Sequence, residues 1–239
     1  MRASRAGALA HLPPSRFFVW APGARYAAAV GDAVVGVVAD ATMDGYRVRL
    51  HGTSLALLPA LAFDGATKRN KPALRRGDVV FARVAAASKH MEPELSCCAP
   101  PGAPKKDWGT GAGVYGALPG GLLAHVPPTL ARRLLDPSCA LLRALGAALP
   151  FQAAVGLNGL VWVAAPADAG GDAAAAAVAD ALAAAVHASE AECEAIAAAA
   201  LARLAARVAA PPADEGAAPA EAAEADGEGD GGGDGEMEE

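Results

Sequence analysis

The amino-acid sequence predicts a mixed β and α+β chain: a small closed barrel of five strands, then a domain in which strands alternate with helices. Three patterns carry this reading. Five short apolar runs, punctuated by Gly-Asp pairs and prolines, fall between Gly31 and Cys97, as in a small all-β unit. From Leu122 the hydrophobic period lengthens and helical stretches appear between strands. From Pro211 to Glu239 the chain is mostly Gly, Ala, Pro, Asp and Glu. That composition is too poor in apolar surface to build a core, so a disordered acidic tail is expected.

Gly31-Asp32 opens the barrel. Val34 to Val38 is apolar and β-branched, while Tyr46, Val48 and Leu50 alternate with Arg47 and Arg49, the period of a half-buried strand. Asp44-Gly45 supplies the turn between them. Leu55 to Leu58 is a third strand stopped by Pro59, Gly77-Asp78 precedes Val79 to Val84, and Glu94 to Cys97 is the fifth. Five short strands with a basic loop between the third and fourth fit an OB-type barrel. Residues 99–118 read as a Pro/Gly-rich connection. They include a literal G-x-G-x-x-G, Gly111 to Gly116. A dinucleotide site needs that motif at the start of a helix, and Pro119 and Gly120-Gly121 follow instead.

Leu122 to Val126 is a strand and Thr129 to Leu135 a short helix; Ser138 is placed to cap a second helix running to Leu149. Phe151 to Val155 and Leu160 to Ala164 are strands joined through Asn158-Gly159, a hairpin signal. Phe151 and Trp162 are expected to fill this domain's core. An Ala-rich helix starts near Asp172, and Ser189 with Glu192 forms a capping box for a last helix ending near Val208.

The net charge of -6 hides an asymmetry. Eleven of the 26 acidic residues lie in 211–239, which has no Lys or Arg; the remaining 15 face 20 basic residues, so residues 1–210 carry +5. A mildly basic body is compatible with RNA. The four cysteines show no C-x-x-C pair and no zinc spacing, which points to free thiols in a reducing compartment and to no metal. The five histidines are scattered. Glu92 and Glu94, split by Pro93, have no base or metal partner beside them. No catalytic constellation and no cofactor site is expected. Ala173 to Val186 is too short and weakly hydrophobic to span a bilayer, so no membrane partner is expected. Arg2, Arg5, Arg16 and Arg25 precede the first acidic residue, Asp32. That pattern fits an organelle transit peptide.

The densest chemical signal is Leu61 to Pro72. Gly65 permits a sharp turn, and Lys68, Arg69 and Lys71 crowd three cations into four positions, a pattern suited to phosphate. Taken with Met91-Glu92-Pro93-Glu94-Leu95 and Gly156-Leu157-Asn158-Gly159, in this order and spacing, the chain resembles the RNA exosome cap subunits of the ribosomal RNA-processing protein 40 family. The likeness runs from about Phe17 to about Ala209. Arg16 to Trp20 is similar to the strand that closes that family's N-terminal domain, which favours a shortened N-terminal domain over a transit peptide for the leader. Gly-x-Asn-Gly is shared with the sibling ribosomal RNA-processing protein 4.

The resemblance implies a leader and domain remnant (1–28), an S1 domain (29–98), the connection (99–118), a type I KH-like domain (119–209) and the tail (210–239). It implies RNA contact at Lys68, Arg69 and Lys71 near a central channel, with Arg83 and Lys89 as weaker candidates; Arg47 and Arg49 read as a strand's solvent face. Gly156-Leu157-Asn158-Gly159 spells the GXXG clamp of KH domains, but it sits in a hairpin. The clamp's place, between consecutive helices, holds Leu135-Asp136-Pro137-Ser138. In the family this turn packs between the two domains, and the resemblance implies the same structural role for Gly156, Asn158 and Gly159. The implied function is a non-catalytic cap subunit that binds single-stranded RNA on a ring of RNase PH-like subunits, beside other cap subunits, in nucleus, nucleolus and cytoplasm. A free-standing S1/KH regulator is the alternative.

Overall fold

The computed structural model describes residues 8–12, 16–20, 26–51, 55–88, 90–100, 102, 106–110, 113–186, 188 and 190–209. Lys89, the Ser189 cap, the arginines Arg2, Arg5 and Arg25, and the acidic tail lie outside the described residues. Near the start, β1 (Ala8–Leu12) and β2 (Arg16–Trp20) form an antiparallel hairpin with His11 opposite Phe17. Their rings stack with centroids 4.5 Å apart.

Five strands make the barrel: β3 (Ala33–Ala41), β4 (Gly45–Arg49), β5 (Leu55–Pro59), β6 (Val79–Ser88) and β7 (Met91–Ser96). β3 pairs antiparallel with both β4 and β6, and β5 meets β7 in parallel at Leu57 and Glu94, so the sheet closes on itself. The two-residue period sends Val34, Val38, Tyr46, Val48, Leu58, Val80, Val84 and Leu95 into one core.

The stretch expected as a connection is partly built onto the barrel. β8 (Gly116–Leu118) pairs with Val79, Val80 and Phe81 of β6, and Trp108 and Tyr115 pack against the barrel core. The reason is the length of β6. β7 covers it only from Arg83 onward, leaving backbone groups that β8 satisfies.

The second domain comprises β9 (Leu122–His125), α1 (Pro128–Leu134), α2 (Ala140–Ala148), β10 (Gln152–Val155), β11 (Leu160–Ala164), α3 (Gly171–Ala184) and α4 (Glu190–Ala209). Its antiparallel sheet runs β10-β11-β9. This is the KH-like order. Val161 and Val163 face a core built with Leu130, Leu134, Leu141, Leu145, Val178 and Leu182 from the helices. Alternation on β11 sends Leu160 and Trp162 the other way, where they pack with Val35 of the barrel. Trp162 thus belongs to the seam between the domains and not to the second domain's own core. Phe151 does pack against that core.

Ser138 does not cap α2. Cys139 occupies the cap position without a side-chain bond, and both the amide and the hydroxyl of Ser138 donate to Asp136 Oδ1, at 2.9 and 2.7 Å. An Asp two residues upstream satisfies the turn locally and outcompetes the helix end for Ser138.

Candidate nucleic-acid interface

The basic loop is a tight turn on a clamped root. At its tip the backbones of Thr67 and Asn70 exchange hydrogen bonds, Thr67 N–H to Asn70 O at 2.8 Å and the reverse at 3.1 Å. Lys68 and Arg69 are therefore the two central residues of a closed turn, and both are exposed. The next cation, Lys71, is exposed as well and donates from Nζ to the Met43 carbonyl at 2.8 Å, on the turn between β3 and β4. The Tyr46 hydroxyl donates to the Pro72 carbonyl where the loop ends. At the root, Gly65 has φ +79°, and the Asp64 carbonyl accepts the Trp108 amide at 3.0 Å. The Asp64 carboxylate accepts the Ala99 amide at 2.7 Å.

The Gly156-to-Gly159 turn is built into the barrel wall. Asn158 is 0% exposed. Its Oδ1 accepts the Val35 amide at 3.2 Å, and its Nδ2 donates to the carbonyls of Val35 at 2.6 Å and Leu50 at 2.9 Å. One residue earlier, the Leu157 amide donates to Ala33 O at 2.9 Å. β4 begins pairing with β3 only at Val37, so the edge of Ala33 and Val35 is open, and the turn takes that place in the ladder. Neither flanking glycine has room for a side chain. A Cβ on Gly156 would lie 2.6 Å from the Val35 nitrogen, and one on Gly159, at φ +85°, would lie 2.3 Å from the Val126 carbonyl. With its amide turned into β3, the turn has no free face on which to clamp a phosphate.

Between α1 and α2, Asp136 is held below the usual carboxylate range, first by the Ser138 amide and then by the Ser138 hydroxyl. A fixed negative charge there repels a nucleic-acid backbone.

Residues 26–111 match the family model for the S1 domain of exosome complex component RRP40, and residues 121–169 match a KH domain model. The exosome complex component RRP40 of Drosophila melanogaster is 39% identical over 163 residues, which cover 68% of this chain and 67% of the fly protein. The chain belongs to the RRP40 family. The Schizosaccharomyces pombe relative of the same name is 37% identical, over 67% of this chain and 64% of its own length. The mouse relative is 36% identical, over 68% and 58% respectively. The matched stretch thus spans about two thirds of the fly and fission-yeast proteins and less of the mouse one. A crystal structure assigned to an exosome complex RNA-binding protein shares the fold, with a TM-score of 0.61 over 77% of this chain and 99% of the other, at 17% identity.

Within this RRP40-family fold Arg83 does not join the loop, and Lys89 lies outside the described residues. Arg83 pairs with Ala33 on β6, at the far end of the nine-residue β3 from the loop's anchor at Met43. It is half-buried, shares the face of Phe81 that turns to the second domain, and its Nε is buried without a partner. Arg47 and Arg49 are exposed on the outer face of β4, opposite Leu57 and Leu55. Among the described residues no group of three or more His, Cys, Asp or Glu is placed to hold a metal ion, and no helix is long and apolar enough to cross a membrane.

Sequence reasoning missed the residues beneath the loop. Asp64 lies within the loop segment with no role assigned to it, and Trp108 within the connection. A tryptophan, one of only three in the chain, set in a Pro/Gly-rich stretch was the available signal, because so large an apolar ring seeks a core to cover.

Proposed function

We propose that this chain is a non-catalytic, RNA-binding cap subunit of the exosome, seated with other cap subunits on a ring of RNase PH-like subunits. There it would stabilise the ring and guide single-stranded RNA toward the channel for 3'-5' processing and decay. One observation carries the reading: in a chain of the RRP40 family, Lys68 and Arg69 are held exposed at the tip of a turn closed by the paired backbones of Thr67 and Asn70. Cations so presented attract phosphate without reading bases, which suits a conduit for varied RNAs. Gly116, the last glycine of the literal G-x-G-x-x-G, starts a strand on the barrel, and Asn158 of the literal GXXG joins the two domains.

Three measurements test this. A tagged full-length chain should co-purify with ring subunits; recovery as a lone monomer would favour a free-standing S1/KH regulator. Lys68→Glu with Arg69→Glu should weaken RNA binding and flatten its salt dependence by about 0.7 per cation lost, so roughly 1.4 in all. An unchanged slope would reduce the loop to solvated surface. The same reading places the protein in nucleus, nucleolus and cytoplasm, which imaging of a C-terminal fusion checks; signal confined to a plastid or mitochondrion would defeat it.

A further inference from the structure

The loop that presents Lys68 and Arg69 is fixed at its root by a different part of the chain. Cys97 N–H donates to Ala62 O at 2.8 Å, Ala99 N–H to the Asp64 carboxylate at 2.7 Å, and Trp108 N–H to the Asp64 carbonyl at 3.0 Å. A parallel bridge joins Phe63 to Cys97. The carboxylate of Asp107 lies against Gly65: a Cβ on that glycine would meet its Oδ2 at 2.5 Å. That same carboxylate accepts the Gly109 amide at 2.8 Å, closing the strap on itself. The Trp108 ring packs against the barrel core alongside Ala62 and Ala66, which flank the turn at Asp64-Gly65.

We infer that Cys97, Ala99 and residues 107–109 brace the basic loop and pre-organise it for RNA, with Asp64 and Trp108 as the positioning residues. This rests on the RNA-contact reading given above. Neither residue need touch RNA. By holding the root, the brace removes backbone freedom that the loop would otherwise lose on binding. Asp64 makes the inference sharp because its charge has the wrong sign for affinity. Deleting a carboxylate four residues from Lys68 should, on electrostatics alone, tighten RNA binding. A brace predicts the opposite.

The test uses the full-length chain and a fluorescein-labelled single-stranded RNA of mixed sequence, titrated across a salt series. Asp64→Ala and Trp108→Ala should each weaken binding about tenfold, comparable to re-ordering one backbone residue. Their plots of log affinity against log salt should run parallel to the parent's, because the same cations still meet phosphates. Trp108→Phe, which keeps a packed ring, should restore binding. The amides of Thr67 and Asn70 should exchange faster in both weakened variants, while the barrel core amides do not. If Trp108→Ala fails to fold, Asp64→Ala decides alone. Unchanged or tighter binding in Asp64→Ala, alongside weakened binding in the Lys68→Glu, Arg69→Glu pair, overturns the brace and leaves the loop's role standing. No effect of that charge-reversed pair overturns both readings.

Discussion

Asn158→Ala isolates the joint between the two domains. The substitution removes three buried hydrogen bonds, two to Val35 and one to Leu50. The Val35 amide points away from β6 into the gap beside β4, so no strand can replace the lost acceptor. An orphaned buried donor costs about 1–3 kcal/mol, and two carbonyls losing a donor add somewhat less. About 4 kcal/mol in all is the expectation. For a folded body of this size each kcal/mol lowers Tm by about 2–4 °C, so the fall should be roughly 8–16 °C. Asn158→Asp should be worse than Ala: a carboxylate can accept the Val35 amide but cannot donate to either carbonyl, and it brings an unpaired charge into a site with no exposure. Thermal and urea unfolding of the full-length chain measure both. The reasoning fails if Asn158→Ala lies within about 0.5 kcal/mol of the parent, or if Asp is tolerated better than Ala.

Three further outcomes follow from the same coordinates. Gly159→Ala should cost about 2 kcal/mol or more, because φ +85° strains any side chain and the Val126 carbonyl stands 2.3 Å from the new Cβ; a normal Tm with lost RNA binding would instead make the turn a clamp. Trp162→Phe keeps an apolar ring at the seam but loses the 2.7 Å bond from Nε1 to Gly120 O, so urea unfolding should show a loss of about 1 kcal/mol. Asp136 is lowered by its bonds from Ser138, so its contribution is present above the ordinary Asp value and is lost as pH falls through the lower folded one. The Tm gap between the parent and Asp136→Ala should therefore narrow as pH drops below about 4; a gap that widens in acid would contradict this.

The sequence by itself determined whatever depends on local periodicity and on a few chemically distinctive segments. Alternation at Tyr46, Val48 and Leu50 marked a half-buried strand, Asn158-Gly159 marked a hairpin, and three cations between Gly65 and Pro72 marked the loop. Each rests on interactions between near neighbours, so each is legible without coordinates. What only tertiary structure decided is which partner each open edge finds. That β6 outruns β7 and recruits Gly116–Leu118 depends on two strand lengths meeting in space. So does the placement of Asn158, whose amide substitutes for a missing stretch of β4 more than a hundred residues away in sequence. Trp162 was assigned to the wrong core for a related reason: β11 is apolar on both faces, so its period shows that both are buried but not against what. The brace under the basic loop was hidden in the same way, because a Pro/Gly-rich stretch has no period of its own. Its order comes from backbone groups that Asp64 and Trp108 satisfy across the fold.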